Sequence, residues 1–158
     1  MARKLRPVGL EFVETAPIRL SFTALVGAAP GEVYGALADE TEAWPAWFSA
    51  VTSARPTAAG REVRLKGGIR FDETVVAAEP GVRYAYRIDT TNAPGVSAML
   101  EEWLLTPVVG GGTRVRWTMA VDGPAGVRAA MRLARPGVAS SFRSAAKRLG
   151  ARLAGARL

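Results

Sequence analysis

The chain carries no cysteine and no histidine in 158 residues, so carboxylates and phenols are the side chains left to move a proton near neutral pH. Thiolate nucleophiles, Ser-His-Asp triads, redox disulfides and thiolate or imidazole metal sites are excluded. Glu101, Glu73 and Tyr86 are the catalytic candidates. In AMLEEWLLTP, alternation puts Met99, Glu101, Trp103 and Leu105 on one face and Glu102 on the other. In VRYAYRIDT it sends Tyr84, Tyr86 and Ile88 inward, and in IRFDETVV it groups Phe71, Glu73 and Val75. A second register of that strand, with Asp72 and Val76 inward, stays open, because one bulge exchanges the faces. A carboxylate carried into an apolar pocket pairs with a cation or has a raised pKa, and a raised pKa suits proton transfer near neutrality. The plainer alternatives are a Glu at the rim or in a structural ion pair, and phenols satisfied by protein or water.

These residues need elements to position them. Ile18 to Val26 alternates as a strand, and Pro30 opens a short helix over Ala29–Ala38 with Val33, Tyr34 and Leu37 at helical spacing. A second short helix or turn-rich segment is predicted over Thr41–Ala50, carrying Trp44, Trp47 and Phe48 around Pro45. From Val51 onward, six strands separated by Gly or Pro turns predict antiparallel hairpins, giving a meander of about seven strands in all. In TRVRWTMAV, Val115, Trp117, Met119 and Val121 face the core, while Arg114, Arg116 and Thr118 face solvent. After Gly123-Pro124, the residues Val138, Phe142, Ala145, Ala146, Leu149 and Leu153 form one helical stripe. Pro136-Gly137 is expected to kink this helix or to split it from a piece over Val127–Ala134.

The whole chain, 1–158, reads as one domain, with an N-terminal extension over 1–16 and a core over 17–155. A curved sheet and one helix with a single apolar stripe bury their faces against each other. The helix cannot fill both ends of the concavity, so a pocket is expected between them. Its predicted ligand-binding residues are Trp44, Trp47, Phe48, Phe71, Glu73, Tyr84, Tyr86, Met99, Glu101, Trp103, Trp117, Met119 and Phe142. Trp44, Trp47 and Phe48 read equally as a lid over the pocket and as anchors of the short helices; the Thr91–Gly95 loop reads as an opposing gate.

Apolar residues make up 49% and charged residues 22%, with a formal net charge of +7. Residues 123–158 hold eight of the Lys and Arg and no acid, so the excess charge belongs to the C-terminal helix. Its polar-face arginines with Leu and Phe are compatible with peripheral membrane contact or a protein partner, but also serve simply to solvate that face. Gly110-Gly111-Gly112-Thr113 is a hairpin turn, since no helix follows it, and neither nucleotide nor nucleic-acid binding has support. No metal or other cofactor is expected. No segment approaches the roughly 20 apolar residues of a membrane span, and the opening MARKLRPVGLEF lacks a secretory apolar stretch. The expectation is a cytoplasmic protein.

The order of strand, two short helices, six-strand meander and long C-terminal helix resembles the START-like, SRPBCC or helix-grip superfamily, and within it the polyketide cyclase/dehydrase and lipid-transport group. The resemblance covers about residues 18 to 155 and rests on four motifs. They are Ala29-Pro30-x-x-Val33-Tyr34-x-x-Leu37-Ala38-Asp39, Trp44-Pro45-x-Trp47-Phe48, Glu79-Pro80-Gly81-x-Arg83 and Gly111-Gly112-Thr113-Arg114-Val115. It implies an α+β helix-grip fold, with a curved antiparallel sheet around the terminal helix. It also implies a cavity for a small hydrophobic ligand, aromatic polyketide-like or lipid-like. A carrier or sensor leads, with a polyketide aromatase/cyclase-type enzyme as the alternative, because no definite catalytic Arg, Tyr or Ser of the cyclases aligns here.

Overall fold

The computed structural model describes residues 1–157. Strand β1 (Arg3–Lys4) and helix α1 (Phe12–Thr15) precede β2 (Ile18–Val26), helix α2 (Pro30–Ala38), a 3-10 turn (Thr41–Ala43) and helix α3 (Trp44–Trp47). Six strands follow: β3 (Val51–Pro56), β4 (Gly60–Leu65), β5 (Arg70–Glu79), β6 (Arg83–Thr91), β7 (Ala98–Pro107) and β8 (Thr113–Asp122). Helix α4 (Ala125–Gly155) closes the chain. The sheet runs β2-β8-β7-β6-β5-β4-β3, every pair antiparallel, so the meander returns its last strand to the first.

Local chemistry accounts for the elements. Pro30 supplies the φ of a first helical turn, and Glu32 accepts the Ala29 N–H at 2.9 Å, satisfying one orphan donor of α2. Gly67 and Gly68 between β4 and β5, Gly81 before β6 and Gly110 to Gly112 before β8 all have positive φ, which hairpin turns require. Across β5 and β6 the register slips between Asp72 and Glu73 and again between Val75 and Ala77. Phe71 and Glu73 still face the concave side, and Val76 packs on the outer face; the register with Asp72 and Val76 inward is therefore not adopted.

The core lies between the concave face and the second half of α4, where Phe142, Ala145, Ala146, Leu149 and Leu153 are buried. Aromatic rings fill one end: Trp103 stacks on Trp117 at 5.4 Å, Phe142 on Trp117 at 5.7 Å, and Trp44 and Trp47 meet Trp103 edge-on. The first half of α4 is largely exposed, Leu133 by 83%. Helix α4 runs through Pro136 unbroken, so of the expected kink or split the split does not occur. The carbonyl that loses its partner there lies on the solvent-facing half, where water can replace the missing N–H.

Residues 1–16 are packed on the sheet. Strand β1 pairs with the end of β6, where β7 has diverged, and Leu5 enters the core. Phe12 and Val13 cover Ala98, Leu100 and Ala120 on the outer face. Thr118, expected in solvent, is also buried on that face, its hydroxyl 2.9 Å from that of Ser21.

Candidate functional site

A cavity of about 200 Å³ opens between the concave face, α3 and α4. Its walls are apolar apart from Arg61, Glu73, Tyr86, Glu101 and Ser141. Half-exposed Ala50, Leu65, Met119, Val138 and Ser141 mark its open side, and the charged groups form its floor. An apolar cavity of 150 Å³ admits benzene, so this one has room for a molecule of one or two rings.

Cross-strand register builds the floor. Arg61 on β4 stands directly opposite Glu73 on β5, and Tyr86 on β6 directly opposite Glu101 on β7. Trp117 on β8 lies diagonal to Glu101, within reach of a long side chain. Arg61 Nε donates to Glu73 Oε1 at 2.7 Å, with both side chains at most 3% exposed. The guanidinium lies between two rings, 4.2 Å from the Trp44 centroid and 4.4 Å from that of Tyr86. Tyr86 Oη donates to Glu101 Oε1 at 2.8 Å, Trp117 Nε1 donates to the same oxygen at 3.0 Å, and Trp103 Nε1 donates to Tyr86 Oη at 3.2 Å.

Burial sets the protonation of the floor. It pushes the Glu73 carboxyl up to about 7 against the opposing pull of Arg61, with Glu101 adding to the rise. It also raises Glu101, more than the hydrogen bonds from Tyr86 and Trp117 lower it. The Tyr86 phenol is held well above 10, by burial first and then by Glu101. Burial alone would lower Arg61, but Glu73 and the two phenols reverse the direction, and it stays a cation. One permanent cation thus faces two carboxyls that bind protons more tightly than in water.

Of the residues predicted to bind ligand, Trp44, Phe48, Phe71, Glu73, Tyr86, Glu101, Trp117 and Met119 line the cavity. Trp47, Tyr84, Met99, Trp103 and Phe142 are buried in the core behind it. The aromatic cluster is divided: Trp44 and Phe48 form wall, while Trp47 packs against Trp103. The Thr91–Gly95 loop does not border the cavity. Asn92 ties it to Arg70 N and Gly68 O, and Gly95 sits against Val127 of α4. Arg61 escaped the sequence reading, although alternation in REVRLKG carries it to the same face as Val63 and Leu65, both of which line the cavity.

Residues 17–154 match the family described as polyketide cyclase / dehydrase and lipid transport. An uncharacterized protein of Mycobacterium tuberculosis is 37% identical, the match covering 82% of this chain and 80% of the relative. A START superfamily protein from Mycobacterium smegmatis has a similar structure, with TM-score 0.68 at 14% identity over 87% of this chain and 97% of that one. The di-domain ARO/CYC BexL gives TM-score 0.70 at 19% identity over 84% of this chain and 46% of that one. At these identities the two structures speak for the fold. The match over residues 17–154, on a helix-grip sheet with its cavity against the terminal helix, shows that the chain belongs to the polyketide cyclase/dehydrase and lipid-transport family.

Proposed function

We propose that this protein binds a small hydrophobic ligand, of one or two rings and aromatic polyketide-like rather than lipid-like, in the cavity between sheet and α4. The observation that carries the reading is the cavity itself: apolar walls, one open side and a polar floor beneath them. Burying apolar ligand area at about 25 cal/mol per Å² supplies the affinity, and the floor orients the ligand. Trp44 and Trp117 border the space, so an aromatic ligand entering it changes indole emission. The test is titration of naphthalene derivatives followed by tryptophan fluorescence, with native mass spectrometry of freshly purified protein. Saturable quenching and a bound adduct are expected; neither signal appearing refutes the reading.

A second reading, an aromatase/cyclase-type enzyme, is favoured by one observation. Glu73 and Glu101 both bind protons more tightly than ordinary carboxyls, and Glu73 does so near neutrality. A general acid or base works best with a pKa near the operating pH. Incubation with a poly-β-ketone substrate decides the matter: cyclised, dehydrated product lost in Glu73→Gln or Glu101→Gln supports catalysis, and equal turnover in both variants and wild type removes the carboxylate mechanism.

A further inference from the structure

We infer that Glu101 presents a carboxylic O–H to the cavity, so that the occupant is an apolar molecule whose buried end carries a carbonyl oxygen. The inference rests on the ligand-binding reading above and names the chemistry of the ligand.

It follows from which oxygen of Glu101 is already engaged. Oε1 receives two donors, the Tyr86 hydroxyl at 2.8 Å and the Trp117 indole at 3.0 Å. An indole N–H can only donate. The Tyr86 oxygen itself accepts from Trp103 Nε1 at 3.2 Å, and the acceptor within reach of its own proton is Glu101 Oε1. An oxygen facing two donors cannot also be an O–H, so a proton on Glu101 resides on Oε2. That oxygen accepts no hydrogen bond from the described residues, and its side chain lines the cavity.

Charge decides that the proton is there. The ionisable groups near Glu101 are Arg61 from β4, Glu73 from β5 and Tyr86 from β6; α4 brings only Val138 and Ser141 to the cavity. Arg61 gives its Nε–H to Glu73 and is held between Trp44 and Tyr86, while its buried Nη1 has no hydrogen-bond partner among the described residues. No ion pair reaches Glu101 among the described residues. An anion with two neutral donors against an apolar wall is strongly disfavoured, whereas the neutral acid lacks only an acceptor for its hydrogen. A carbonyl oxygen supplies that acceptor and brings no hydrogen needing a partner of its own. An ammonium ligand would require the ionised acid and would lie near the Arg61 cation.

The test compares 2-acetylnaphthalene with 2-isopropenylnaphthalene, the same shape with CH2 in place of the carbonyl oxygen. The quantity read is the ratio of their affinities in each protein, which cancels the difference in their hydrophobicity. Glu101→Met, without a donor, is expected to shift the ratio about fivefold to tenfold against the ketone. Glu101→Gln is expected to keep it within about twofold, its amide oxygen taking the two donors and its NH2 facing the ligand. In case Glu101→Met does not fold, the infrared C=O stretch of the ketone bound to wild type gives an independent reading. A shift to lower wavenumber than in alkane is expected, and an unshifted band overturns the inference. Equal ratios in wild type and Glu101→Met also overturn it, as does protonated 2-naphthylmethylamine binding more tightly than the ketone and losing that preference in Glu101→Gln. If neither probe binds wild type, the ligand-binding reading falls and takes this inference with it.

Discussion

Stability against pH should separate Glu73→Met from Arg61→Met, although both break the same pair. The pair is 2.7 Å long and nearly inaccessible. An arginine cannot shed its proton, so Glu73→Met leaves a permanent cation in the cavity floor; at pH 5.5 the wild-type carboxyl, with its pKa of about 7, is itself neutral, and the variant loses a hydrogen bond to that cation, about 1.5–3 kcal/mol. For a chain of this length that is about 3–12 °C in Tm, and with the titrating carboxyl gone its stability should vary less between pH 5.5 and 8.5 than that of wild type. Arg61→Met leaves a carboxyl whose pKa is already about 7 against the pull of the guanidinium, and which rises further once that pull is gone. At pH 5.5 it is neutral, and the loss reduces to the stacking of the guanidinium on Trp44 and Tyr86, about 1–2 kcal/mol each when desolvated. A carboxyl raised above its ordinary 4.5 makes the folded state the better proton binder. Its contribution is therefore most favourable below about 4.5 and declines as pH rises toward the folded pKa. The Arg61→Met protein should lose stability from pH 5.5 to 8.5 more steeply than wild type, and Arg61→Met with Glu73→Met should return to within about 2 kcal/mol of it. Urea unfolding at the two pH values, followed by tryptophan emission, measures all four proteins. A Glu73→Met cost below about 1 kcal/mol, or a double variant that costs the sum of the singles, refutes the reasoning.

Phe142→Ala should lower stability by about 3–5 kcal/mol in chemical unfolding, because Phe142 is 1% exposed and packs on Trp117, Trp103 and Phe22. Gly95→Ala should cost about 2 kcal/mol or more in the same assay: Gly95 has φ +79°, and a Cβ there would lie 2.5 Å from Val127 Cγ2. Adding Val127→Ala should recover the contact part of that loss and leave the backbone part. Deleting residues 1–16 should uncover Ala98, Leu100 and Ala120 on the outer face and withdraw Leu5 from the core; a lower Tm with increased binding of a hydrophobic dye is expected, and an unchanged Tm would show that the segment adds nothing to stability.

Much of the architecture is legible in the sequence. Ile18 to Val26 and TRVRWTMAV alternate cleanly, because each lies between the packed concave face and a more polar opposite face, and Gly or Pro turns separate the later strands. The α4 stripe from Val138 to Leu153 was equally clear, since one helix face must meet the sheet. The reading stopped where an alternating pattern carries a charge. In REVRLKG an arginine in line with Val63 and Leu65 reads as an edge residue unless its partner is known, and Glu73 lies 12 residues away on a strand whose register slips beside it. Residues 1–16 show no long periodicity, and Phe12 and Val13 acquire a role only because the outer faces of β7 and β8 offer Ala98, Leu100 and Ala120 to cover.

By itself the sequence determined which chemistries were available and which faces are apolar, because side-chain type and the two-residue period of a strand are local properties. Tertiary structure alone decided which carboxyl meets the buried guanidinium and which meets only neutral donors, because cross-strand register, a relation between distant segments, sets the distances over which charges in an apolar interior act.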